Sequence, residues 1–303
     1  MSTVEKAAEK LKSLQPEPQA PLHNDDAVPL HHAASTVERL HERPGTADHV
    51  AETAPWHVDS HALKRADLLP ADDEAMARLA DEVRRIKRPL LDNVSGKGAR
   101  ALPHPERIVV TSAVPGEGKT FTAVNLALSL AREPDFEVLL VDSDIPKADV
   151  TRVLGLDKHP GLMDVLADEQ RRPAEVVVRT DVPNLLVVPA GKRHLLTAEL
   201  FGGRRMEYVL DALGGPSRRR LLVFDSSPLL ATPEAPILVS HMGQVVVVVG
   251  AGHTREYELK AALENVDGSQ YVGLVLNMSQ LPAIENHYYS RYSHDSPYPF
   301  PDR

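Results

Sequence analysis

The chain has 303 residues, with 34 Lys and Arg against 43 Asp and Glu, giving a formal net charge of −9. This acidic balance removes the basic face that nonspecific nucleic-acid binding needs, and the absence of cysteine removes disulfides, thiolate metal sites and cysteine nucleophiles. There is no apolar run of eighteen or more residues, and the charged first residues lack the apolar core of a signal peptide, so the expectation is a soluble, cytoplasmic chain that reaches a membrane only through a partner.

Residues 1–15 predict a short amphipathic helix. Ser2 and Glu5 have capping-box spacing, and Val4, Ala7, Ala8, Leu11 and Leu14 share a face. A helix of about twelve residues is marginal alone in water, so it needs a surface to pack on. Residues 16–71 predict a disordered linker: 16–70 hold seven prolines and seven of the fourteen histidines without a periodic apolar pattern. The histidines have no metal-ligand spacing.

An ordered domain is expected over 72–285. Met76, Leu79, Val83 and Ile86 give helical periodicity over 73–88, with Pro89 expected to stop it. Runs rich in Val, Ile and Leu then predict strands at 107–111, 138–142, 184–188, 221–225, 244–249 and 271–276. Their near-continuous apolar content fits burial on both faces, as in a parallel sheet. Helical stretches at 120–132, 162–167, 198–213, 233–240 and 254–266 alternate with them. The expected fold is therefore a doubly wound α/β domain with a mostly parallel sheet. Residues 286–303, rich in Ser, Pro and Tyr, are expected to form a flexible tail.

Directly after the first predicted strand stands Ala113-Val114-Pro115-Gly116-Glu117-Gly118-Lys119-Thr120, followed by Phe121 and an apolar helix. This is the phosphate-loop pattern with Ala113 in place of its first glycine. The glycines let backbone N–H groups turn towards an anion, and the helix N-terminus favours negative charge. Lys119 reaches the outer phosphates and Thr120 offers a hydroxyl to Mg²⁺. The next strand ends in Val141-Asp142-Ser143-Asp144, with two carboxylates at the sheet edge where open α/β folds bind ligands. A third strand delivers Asp225 as a carboxylate for the Mg²⁺ side.

These three elements together resemble the bacterial protein-tyrosine kinases, which use a phosphate-loop NTPase fold. Glu82, Arg85 and Arg88 form the Glu-x-x-Arg-x-x-Arg motif through which that family builds rings, although spacing alone also fits a solvated helix face. Tyr288, Tyr289, Tyr292 and Tyr298 match the C-terminal cluster that the family phosphorylates. The segments 4–11 and 84–91 are similar to the subgroup from exopolysaccharide loci with an exosortase. The chain departs from the usual pattern in three places. Asp225 is followed by Ser226-Ser227-Pro228 where the family usually has Thr-Pro-Pro, Glu234 stands in place of Asp nine residues on, and Pro146-Lys147 replaces a typical Arg.

The resemblance implies an ATP- and Mg²⁺-dependent tyrosine autokinase acting between subunits of a homo-oligomeric ring. It also implies a separate membrane-embedded activator of polysaccharide chain length that holds the kinase at the inner membrane. Lys119, Asp142 and Asp144 would be catalytic, with Asp142 orienting the tyrosine hydroxyl mainly by hydrogen bonding, since an ordinary carboxylate is a poor base for a phenol. Pro115 to Phe121 would bind ATP. Thr120, with Asp144 or Asp225, would hold the metal directly or through water. Asn277 resembles the family's adenine-side residue, or simply caps its strand. Two other readings stay open, a partitioning-type ATPase switch and an adaptor whose nucleotide sets oligomeric state. Val114 stands where the partitioning class usually carries an extra lysine.

Overall fold

The computed structural model describes residues 54–215 and 219–279. The expected N-terminal helix, most of the expected linker and the C-terminal tyrosine cluster lie outside these residues. Seven strands form one sheet: β1 (Arg107–Ser112), β2 (Glu137–Ser143), β3 (Val178–Arg179), β4 (Leu185–Val188), β5 (Arg220–Ser226), β6 (Gln244–Gly250) and β7 (Tyr271–Asn277). Their order is β3-β4-β2-β5-β1-β6-β7. Every pairing is parallel except β3 with β4. Strands β1, β5 and β6 are buried along almost their whole length, because helices cover both faces.

One face carries α1 (Ser60–Arg65), α2 (Asp73–Val94), α3 (Lys119–Leu130) and α4 (Asp149–Val153). The other carries α5 (Leu162–Ala167), α6 (Thr197–Gly202), α7 (Arg204–Gly214), α8 (Glu234–Ser240) and α9 (Glu256–Leu263). Alternate residues of each strand feed the two cores: Ile108 and Val110 pack on the α3 side, and Val109 packs on the α7 side. This is the doubly wound α/β arrangement. It gathers the C-terminal ends of β1, β2 and β5 side by side, with Asp142 in register with Asp225 and Val110 in register with the same Asp225.

Two expectations change. Residues 54–71 do not continue the linker. The Trp56 N–H donates to the Arg179 carbonyl at 2.7 Å, the indole N–H donates to the Leu154 carbonyl at 2.8 Å, and Leu63, Leu68 and Leu69 are buried. These anchors are unevenly spaced, so no period marks them. Pro89 also does not stop its helix, which runs on to Val94. The hydrogen bond a proline lacks would end on the Arg85 carbonyl, on an exposed residue. Beyond it, Leu90 is buried and Asn93 bonds Gln244 at 2.8 Å, which ties the last turn to β6.

Candidate active site

The loop between β1 and α3 turns at Gly116 and Gly118, with φ of 86° and 89°, in the left-handed region that favours glycine. Gly118 is also the N-cap of α3, and no side chain caps that helix. The first N–H groups of α3 are thus free of a protein cap, as an anion site requires. A Cβ on Gly118 would stand 2.0 Å from the Asn277 amide nitrogen. The cleft in front of this turn, of about 370 Å³, is lined by Gly116, Gly118, Lys119, Thr120 and Phe121 together with Lys147, Asp149, Asn277 and Met278. That volume falls within the range of small-molecule sites.

Behind the cleft lies a nest of buried charges. Lys119 Nζ is 2.6 Å from Asp144 Oδ2, and both side chains are almost fully buried. The Ser227 hydroxyl donates to the other Asp144 oxygen at 2.9 Å. Burial works against the charge of Lys119, but Asp225 and Asp144 outweigh it and hold its pKa above the ordinary value. Asp225 is fully buried, and neither of its oxygens has a well-formed hydrogen bond, although the Thr120 hydroxyl approaches the carboxyl. Burial pushes its pKa up to about 8; the positive Lys119 opposes this and Asp142 adds to it. Asp142 is equally enclosed. Its Oδ2 accepts from the Thr151 N–H at 2.8 Å and the Thr151 hydroxyl at 2.7 Å, while Oδ1 has no partner. Burial raises its pKa to about 6 against those two hydrogen bonds.

Orphaned carboxylate oxygens beside a lysine fit a divalent cation, whose charge would satisfy them. Among the described residues no three His, Asp or Glu side chains converge on a metal position. A cation held by Thr120, Asp144 and Asp225 would therefore need phosphate oxygens or water to complete its shell, which is the usual habit of Mg²⁺.

Residues 106–267, more than half the chain, match the AAA domain family model. The tyrosine-protein kinase YwqD of Bacillus subtilis is 30% identical over 176 residues, covering 57% of this chain and 73% of YwqD. The chain belongs to the bacterial tyrosine-protein kinase family. The kinase domain of VpsO superposes with a TM-score of 0.58 at 26% identity, covering 67% of this chain and 96% of that one. The tyrosine-protein kinase ptk of Acinetobacter johnsonii is 29% identical over 173 residues, covering 56% of this chain and 23% of its own. The chain spans about a quarter of the length of the first curated relatives it matches.

Within this family frame the site residues divide into groups. Lys119, Asp142, Asp144 and Asp225 come together behind the loop, and Gly116, Gly118, Thr120, Phe121 and Asn277 line the cleft. Glu117, expected among the nucleotide-binding residues, turns its side chain into the fold. Its carboxylate accepts from the Val114 N–H at 2.7 Å and from the Gly250 N–H at 3.3 Å, and the Thr254 hydroxyl donates to it. The Asn277 amide donates to the Glu117 carbonyl at 2.9 Å, and His253 reaches the Pro115 carbonyl at 3.1 Å. The loop is thereby clamped from the ends of β6 and β7. Sequence reading missed this clamp, as well as the Ser227 donor. The one signal for Ser227 was a hydroxyl residue where the family usually has proline. Glu82, Arg85 and Arg88 lie exposed on α2, and the cleft is built without them.

Proposed function

We propose that this chain is an ATP-dependent protein-tyrosine kinase that phosphorylates its own C-terminal cluster, Tyr288, Tyr289, Tyr292 and Tyr298. The observation that carries the reading is the buried Lys119–Asp144 pair set behind an uncapped glycine loop, with Asp225, which lacks a well-formed hydrogen bond, beside it. Phosphoryl transfer needs positioning and charge neutralisation more than covalent help. The loop N–H groups and Lys119 would hold the β- and γ-phosphates. Mg²⁺, held by Thr120 with Asp144 or Asp225, would supply charge neutralisation on the transferring group. Asp142 is enclosed, so its role at the tyrosine hydroxyl would require the acceptor to reach the strand edge as it binds.

Glu82, Arg85 and Arg88 would join subunits into a ring, so that one subunit's tail enters its neighbour's cleft. A separate membrane protein of a polysaccharide export system would recruit and activate the kinase. No helix among the described residues is long and apolar enough to cross a membrane.

The test maps phosphotyrosine by mass spectrometry in the full chain and in Lys119→Met after incubation with Mg-ATP. Phosphate on the tyrosines between 288 and 298 in the wild type alone is the expected result. ATP hydrolysis without phosphotyrosine, even with the source membrane fraction added, would replace the kinase reading with that of an ATPase switch.

A further inference from the structure

The cleft has a wall that lies outside the matched family region. α1 ends in a Schellman turn: the Asp67 N–H donates to the Lys64 carbonyl at 3.1 Å and the Leu68 N–H to the Leu63 carbonyl at 2.9 Å. Asp67 sits at the left-handed position of that turn, with φ of 55°. Glycine is the usual residue there because a Cβ crowds the backbone. Aspartate is one of the few other residues that enter this region routinely, so the angle by itself selects no ligand.

Asp67 lines the nucleotide cleft, together with Leu68. The backbone at this point is fixed against α3. Leu63, Leu68 and Leu69 are buried, and the Asn125 amide donates to both the Leu68 and the Phe121 carbonyls at 2.8 Å. The Asp67 carboxylate is exposed and makes no hydrogen bond or ion pair among the described residues. A carboxylate that the fold gives no partner, fixed in place on the wall of a binding cleft, has an acceptor to offer a ligand.

The chemistry of the ligand selects the contact. The triphosphate end belongs to the loop N–H groups and Lys119, and a bare carboxylate would repel it. Further along a nucleotide the groups become neutral hydroxyl donors, which a carboxylate accepts well. Leu68, Phe121 and Met278 line the same cleft and offer apolar contact to a base.

We propose that Asp67 accepts the sugar hydroxyls of the bound nucleotide, making residues 54–71 a specificity element for ribonucleoside triphosphates. This rests on the nucleotide-binding reading of the cleft.

The test measures the affinity of the full chain for Mg-ATP, Mg-2′-deoxy-ATP and Mg-3′-deoxy-ATP by calorimetry, with Asp67→Gly, Asp67→Asn and Lys119→Met alongside. The wild type should favour ATP over at least one deoxy analogue by about tenfold, the worth of a hydrogen bond to a charged acceptor. Asp67→Gly should bind all three alike, near the weaker analogue's affinity, with an unchanged or higher Tm. Asp67→Asn should keep part of the preference. Equal wild-type affinity for the three nucleotides would overturn the proposal, as would an equal loss for all three in Asp67→Gly. A wild type that binds none of them, or a Lys119→Met that binds as tightly as wild type, would overturn the nucleotide reading itself.

Discussion

The two ends of the sheet bury charge in opposite ways. At the start of β1, Arg107 is 2% exposed, and its guanidinium meets Glu207 at 3.1 Å and Asp211 at 2.6 Å. Glu207 in turn bonds His241 at 2.5 Å. At the other end of the neighbouring β5, Asp225 is 0% exposed and has no well-formed hydrogen bond. Both positions carry the cost of taking an ionisable group out of water, which Arg107 meets as a charge and Asp225 by holding its proton. At the first end, two carboxylates on α7 offset that cost. At the second, Lys119 offsets it only in part, and the carboxyl keeps its proton up to about pH 8. A fold that closes one buried ionisable group completely and leaves another open separates what holds the sheet together from what the sheet presents to a ligand.

Four variants would break or sharpen this contrast. Lys119→Met should have the largest effect, a loss of phosphotyrosine formation of roughly 10²–10³-fold, as for other preorganised electrostatic groups. Quantitative mass spectrometry would read it, and Tm should fall as well, by more than for Arg107→Met, because Asp144 is left buried without its cation. At the closed end, Arg107→Met should cost about 2–3 kcal/mol in urea unfolding without changing nucleotide affinity. The cost stays below that of a fully buried pair because Glu207 and Asp211 are at least half exposed and can rehydrate.

Asp225→Asn should do the reverse and stabilise the metal-free chain at pH 8 by about 1–2 kcal/mol, while removing Mg²⁺-dependent activity. The pH dependence has a definite sign. Because the folded chain raises this carboxyl from 3.8 to about 8, it holds a proton that the unfolded chain has released. Stability therefore falls as pH rises from about 4 to about 8 and levels off above that. Asp142, raised to about 6, adds a slope of the same sign below pH 6. Thermal melts of both proteins in EDTA should diverge steadily towards pH 8; parallel curves would sink the assignment. Smallest of all, Glu82→Ala with Arg85→Ala and Arg88→Ala should move stability by less than about 0.5 kcal/mol, as exposed sites do. Its effect should appear as a smaller assembly in light scattering.

The contrast also marks what was legible in the sequence. The strands were readable because a parallel sheet covered on both faces demands continuous Val, Ile and Leu: the run at 244–249 became β6 with one residue added. The glycine loop was readable because close backbone turns and a helix start leave few alternatives at Gly116, Gly118 and Lys119. The Arg107 network was not, since Glu207 and Asp211 lie 100 and 104 residues away and carry no local pattern. Strand β3, at two residues, is too short to show a period. The same holds for residues 54–71, whose apolar anchors follow the shape of the surface that receives them and no repeat of their own. Local chemistry reads well in one dimension, whereas long-range satisfaction of polar groups does not.

The chain has a single tryptophan, Trp56. Its ring meets His159 edge-on at 4.8 Å and its N–H is bound to Leu154. Its emission therefore reports one event without any label: the seating of the segment that walls the cleft. A red shift with increased accessibility to a quencher would register the undocking of residues 54–71. A titration with nucleotide, followed at that one indole, would reveal whether the cleft and its outer wall close together.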